Sequence, residues 1–74
     1  MAGQMRYIWE ESDIVCGQKV GLTNGAKEEF IIGYVYLEDH NRYMILTSLS
    51  DGMAILYTSK AELCKTLNEK FKPI

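Results

Sequence analysis

Little in this sequence is of the kind that carries chemistry. It has one histidine, and its two cysteines, Cys16 and Cys64, stand far apart with no C-x-x-C spacing. A structural zinc site draws on clustered cysteine and histidine, so none is expected, nor is any other cofactor. Two cysteines do not make a disulfide framework. They read as small buried hydrophobes, with a Cys16–Cys64 bridge as the alternative. Apolar runs are short. None approaches the roughly 18 residues of a membrane span, and M-A-G-Q-M-R-Y-I-W lacks the apolar centre of a signal peptide. No membrane partner is expected, and a reducing, cytoplasmic location is.

Charge is nearly balanced between the two signs. Eight Lys and Arg against ten Asp and Glu leave a net charge of −2. Phosphate binding needs a basic stripe, and a nucleic-acid mimic needs a dense acidic array. Neither is present, so nucleic acid is not an expected partner. With 74 residues, 47% of them hydrophobic, the chain makes one globular domain over 1–74. A core this small supplies only about 3–5 kcal/mol without disulfide or metal, which points to self-association, most simply a homodimer.

What the chain does have is a β-rich centre. Phe30 to Thr58 reads F-I-I-G-Y-V-Y-L, E-D-H-N-R, Y-M-I-L-T-S-L, S-D-G, M-A-I-L-Y-T. Three runs rich in Ile, Val, Tyr and Phe, separated by turn-forming clusters, predict an antiparallel meander. Asp51-Gly52 favours a two-residue type I′ turn, which sets Ser48 opposite Ile55 and Leu46 opposite Tyr57. A tip at His40-Asn41 sets Asp39 opposite Arg42 and Val35 opposite Leu46. Because side chains alternate, these registers predict two faces. Ile31, Val35, Leu37, Met44, Leu46, Met53, Ile55 and Tyr57 form one. Phe30, Ile32, Tyr34, Tyr36, Tyr43, Ile45, Leu49, Ala54 and Leu56 form the other. Both are apolar, so both need cover.

The flanks supply that cover. Met5 to Glu10 and Ile14 to Leu22 read as two further strands, with Gly17 and Gly21 marking a bulge or bend in the second and Asn24-Gly25 a turn after it. After Tyr57 the apolar period lengthens. Ser59-Lys60-Ala61-Glu62 fits a capping box, and Leu63, Cys64, Leu67 and Phe71 follow at helical spacing up to Pro73. The predicted class is α+β, mostly β: a small antiparallel meander or partly open five-stranded barrel with one C-terminal helix. The helix covers one face; over the other, either Tyr7, Ile8, Trp9, Ile14, Val15, Val20 and Leu22 close, or the aromatic face pairs with a copy of itself or with another protein.

Candidate chemistry is thin. His40, beside Asp39 and Arg42, is the one general-base candidate near neutral pH, but a hairpin tip is convex and catalysis needs a pocket. Glu10, Glu11 and Asp13 lack the ligand pattern of a calcium loop. Tyr34, Tyr36 and Tyr43, with Phe30 and Trp9, are the candidate partner or oligomer surface, since tyrosine combines contact area with a polar handle.

Two stretches, R-Y-I-W-E-E-S-D-I-V-C-G-Q-K-V and S-L-S-D-G-M-A-I-L-Y-T-S-K-A-E-L-C-K-T-L-N, together about half the chain, resemble small accessory proteins of bacteriophages and prophages. The resemblance implies a compact protein without enzymatic motifs, several of whose kind bind and block a host defence protein or sequester its signal. A phage-encoded chain would act in the cytoplasm of its host. The expected function is therefore non-enzymatic binding, as an inhibitor or adaptor. Capture of a nucleotide-like ligand in a pocket at an oligomer seam is the alternative, and an enzyme using His40 stands third.

Overall fold

A computed structural model describes residues 7–74. Five antiparallel strands form one open sheet in the order β4-β3-β2-β1-β5, and one helix lies across it. The strands are β1 (Lys19–Leu22), β2 (Glu29–Tyr36), β3 (Arg42–Ser48), β4 (Ala54–Tyr57) and β5 (Phe71–Pro73), with α1 at Lys60–Lys70. The predicted meander is therefore present as β2, β3 and β4. So is the helix after Ser59, whose hydroxyl accepts the Glu62 N–H at 3.2 Å. That bond satisfies one of the donors a helix start leaves open.

The β2–β3 register differs from the expected one. Ile32 faces Leu46, Tyr34 faces Met44 and Tyr36 faces Arg42. The connection is longer than a two-residue tip. The N–H of Leu37 donates to the carbonyl of Asn41, that of His40 donates to the carbonyl of Leu37, and His40 sits at φ 64. A turn closed by a left-handed residue is the three-residue hairpin loop, and it shifts the pairing by an odd number of residues. An odd shift turns β2 over relative to β3. Ile32, Met44 and Leu46 consequently share the buried face, while Ile31, Val35, Tyr43 and Ile45 share the opposite one.

The β3–β4 turn also differs in kind. Gly52 has φ 76, as expected, but Asp51 is not left-handed, so the turn is not type I′. Ser48 donates to the carbonyl of Met53 and Gly52 to that of Ser48, making a four-residue loop over 49–52. The register moves by an even step, so Leu46 faces Ile55 and Met44 faces Tyr57 without changing face.

Two further expectations fall at the ends of the chain. Tyr7 to Glu10 is not a strand, and Met5 and Arg6 lie outside the described residues. The fifth strand is instead β5, whose first residue, Phe71, caps the helix with extended backbone. β1 is shorter than Ile14 to Leu22. At Gly17, φ 93, its N–H donates to the carbonyl of Ile32 while Ile32 donates to the carbonyl of Gln18, which makes the expected bulge.

One core results, on one side of the sheet. Leu63 and Leu67 of α1 close over Val20, Ile32, Met44 and Leu46, joined by Phe71, Trp9 and Ile14. Fully burying each leucine contributes about 1.5–3 kcal/mol. The N-terminal segment lies on this same side rather than closing over the other. Trp9 donates its ring N–H to the carbonyl of Phe71 at 3.0 Å, and Asn68 holds both its backbone groups, at 2.6 and 3.1 Å. Tyr7, Ile8 and Val15 remain exposed.

Nothing lies within 4 Å of a Cβ built on Gly52, so its requirement is purely one of backbone conformation. Gly52→Val is expected to cost about 1–3 kcal/mol, the scale of one strained backbone position, while Gly52→Asn costs clearly less because asparagine enters the left-handed region. Chemical denaturation of the two variants measures this. Equal stability of the valine variant and the parent would mean that the loop is built differently.

Candidate functional site

The outer face of the sheet is the candidate site. Across β2, β3 and β4 it carries Ile31, Val35, Ile45 and Leu56, with Tyr43 and Thr47 among them. Ile45 lies over Gly33, within 3.4 Å of where a Cβ would stand. Lys19 beside Ile31 and Lys72 beside Gly21 place charge at one margin. Among the described residues no helix or loop packs over this face, and the core lies wholly on the other side. Sheet neighbours alone half-bury Ile31, Val35 and Ile45, while Leu56 is 47% exposed. An apolar patch with a polar margin is the composition of an interaction surface.

The five aromatic candidates do not form one surface. Trp9 is 3% exposed and belongs to the core. Phe30 is half-buried and packs edge-on against Phe71, with ring centroids 5.3 Å apart. Tyr34 and Tyr36 share the helix-side face, at the end of the β2–β3 hairpin nearer its loop, and remain exposed. Their rings meet edge-on at 5.9 Å, and the Arg42 guanidinium lies 5.5 Å from the Tyr34 centroid. Tyr43 points the opposite way. The odd register shift separates it from the other two, so the expected seam of Tyr34, Tyr36 and Tyr43 is split between two faces. For the same reason the expected register sets Ile31 and Val35 on one face and Ile45 on the other, whereas the structure brings them together. The signal that would have found them is the run Asp39-His40-Asn41, whose residue types tolerate left-handed backbone and favour a bulged loop.

His40 stands exposed in that convex loop. Asp39, its expected orienting group, is otherwise engaged: Oδ2 accepts the Tyr43 hydroxyl at 2.5 Å and Oδ1 the Asn41 N–H at 2.9 Å. The hydrogen bond from Tyr43, then that from Asn41, holds the Asp39 carboxyl below its ordinary value, and the same carboxylate raises the Tyr43 phenol. Arg42 pairs with Tyr36 rather than Asp39. These groups brace a turn.

Both cysteines are free. Cys16 is exposed, which corrects its reading as a buried hydrophobe, and Cys64 is half-buried. Burial, then the charges of Glu11, Asp13 and Glu10, raises the Cys64 thiol. Its Sγ donates to the carbonyl of Trp9 at 3.4 Å. Among the described residues no cluster of three or more His, Cys, Asp and Glu is placed to hold a metal ion. A shallow, open depression is lined by Ala26, Lys27, Glu28, Glu29, Leu49 and Ser50, none of them aromatic. No helix among the described residues is long and apolar enough to cross a membrane.

The fold and its surfaces define a small α+β domain with a one-sided core. Comparisons with protein-family models, curated proteins and solved structures find no match.

Thiol labelling tests the placement of the Trp9 segment against α1. In the native protein Cys16 is expected to react with a maleimide faster than Cys64, which is half-buried and whose thiol is raised, since thiolate is the reactive form. Equal native rates would mean that the segment does not lie over Cys64.

Proposed function

We propose that this chain is a non-enzymatic binding protein that engages a host protein through the outer face of its sheet. It would serve as an inhibitor or adaptor of the kind found among small phage accessory proteins. One observation carries this reading: a sheet face bearing Ile31, Val35, Ile45 and Leu56 with no layer over it among the described residues. Soluble domains rarely leave a contiguous apolar patch of this kind without a use for it. The β2–β3 pairing holds these side chains in place before binding, so little ordering entropy is lost when a partner docks. The partner is expected to present a flat apolar surface, because the charge near this face lies at its margins, Lys19, Glu29 and Lys72 at one end and Asp39, bonded to the Tyr43 hydroxyl, at the other.

Ile45 lies near the middle of the patch, and Ile45→Lys places a charge where the partner would have to desolvate it. Tagged parent protein incubated with host lysate is expected to retain one protein in stoichiometric amount. Ile45→Lys, checked for an unchanged thermal transition, is expected to lose it, and the double variant Tyr34→Ala, Tyr36→Ala on the opposite side to keep it. Retention by folded Ile45→Lys would overturn the assignment of the outer face.

A further inference from the structure

An open sheet has two edges, and here they are treated very differently. At β5 the outward positions are Phe71 and Pro73, because Ile74 and Lys72 direct their backbone groups to β1; the N–H of Ile74 donates to the carbonyl of Lys19 at 3.1 Å. Neither outward position offers a donor. The N–H of Phe71 is bound to the carbonyl of Leu67, its carbonyl accepts the ring N–H of Trp9, and Pro73 has no N–H. That edge is closed.

β4 has none of these devices. Ser48 donates to the carbonyl of Met53, so the bonded pairs with β3 fall at Met53, Ile55 and Tyr57, and Ala54 and Leu56 direct their N–H and C=O groups outward. Met53 to Thr58 contains no charge and no proline, and its side chains are apolar toward both faces. Met53, Ile55 and Leu56 are 69%, 52% and 47% exposed. Natural sheets usually protect such an edge with charge, proline or a bulge, and one left unprotected is a template for pairing.

We propose that β4 pairs with β4 of a second copy, antiparallel about a twofold axis near Leu56, doubling the five-stranded sheet. Charge selects this occupant and this direction. The nearest charged residues are Asp51, five residues before Leu56, and Lys60, four after it, and they are of opposite sign. Antiparallel pairing brings Asp51 of each copy to the end where Lys60 of the other lies, whereas parallel pairing sets like beside like. Between those ends, a neutral strand meets itself without a repelling pair. Leu56 meets its own copy on the outer face, so the two outer apolar faces become continuous.

Sedimentation equilibrium at tens of micromolar is expected to give twice the 8.5 kDa chain mass. Leu56→Pro removes an outward N–H without touching the β3 ladder and is expected to return the protein to monomer. Leu56→Ala keeps that N–H and is expected to remain dimeric. Should Leu56→Pro fail to fold, the parent alone decides: amide exchange at Ala54 and Leu56 is expected to slow on concentrating, while the outer-face side chains stay accessible. A parent that is monomeric throughout, or a dimer whose Ala54 and Leu56 amides exchange as fast as when dilute, overturns the proposal. The outcome is separable from the outer-face reading, because Ile45→Lys is expected to remain dimeric.

Discussion

The parity of the β2–β3 pairing governs this structure. One left-handed residue, His40, closes the loop between those strands and decides which side chains of the two longest strands turn toward α1. With the parity as found, Ile32, Met44 and Leu46 lie beneath Leu63 and Leu67. The cost of that choice falls on the other face. A chain of this length forms one helix, one helix covers one face, and Ile31, Val35 and Ile45 are left for something outside the described domain.

Phe71 makes the one-sided core workable. It ends the helix, begins β5, packs its ring against Phe30, and places its carbonyl where the Trp9 ring can bond it. One residue thereby joins the helix, the last strand and the N-terminal segment, and closes a sheet edge as well. Sealing there concentrates exposure elsewhere, on the outer face and along β4. In so small a domain the core has little stability to spare, and surfaces left apolar are a burden unless they are used.

Much of this was legible in the sequence, and the failures have physical causes. The alternating runs of the meander, the Ser59 cap and the stripe of Leu63 and Leu67 are local signals, each readable within one turn or one strand. Register is not local. The odd shift depended on whether Glu38 and Asp39 belonged to strand or loop and whether Asn41 belonged to loop or strand, and composition there allowed both. Phe71 fits the helical stripe, yet it is buried from a strand, because the position that follows Leu67 on that stripe also begins β5. The aromatic alternation of the N-terminal segment suggested a strand, but its Trp9 and Asn68 bonds hold it against the helix instead. Of the candidate site, the tyrosines are legible as residues, whereas the aliphatic face of Ile31, Val35, Ile45 and Leu56 appears only once the loop is known.

The same structural facts connect the surfaces. An outer face open to a partner and a β4 edge open to a second copy would together make a broad, twofold apolar platform, presenting two equivalent sites to its target. The claim beneath both is that the outer face is bare while the inner face is packed. Carbene footprinting of the purified protein reads that difference directly, residue by residue. Strong labelling at Ile31, Val35 and Ile45 with protection at Ile32, Leu46 and Leu67 is the expected result; protection of both sets, or labelling of Ile32 and Leu46 in place of their neighbours, would contradict it.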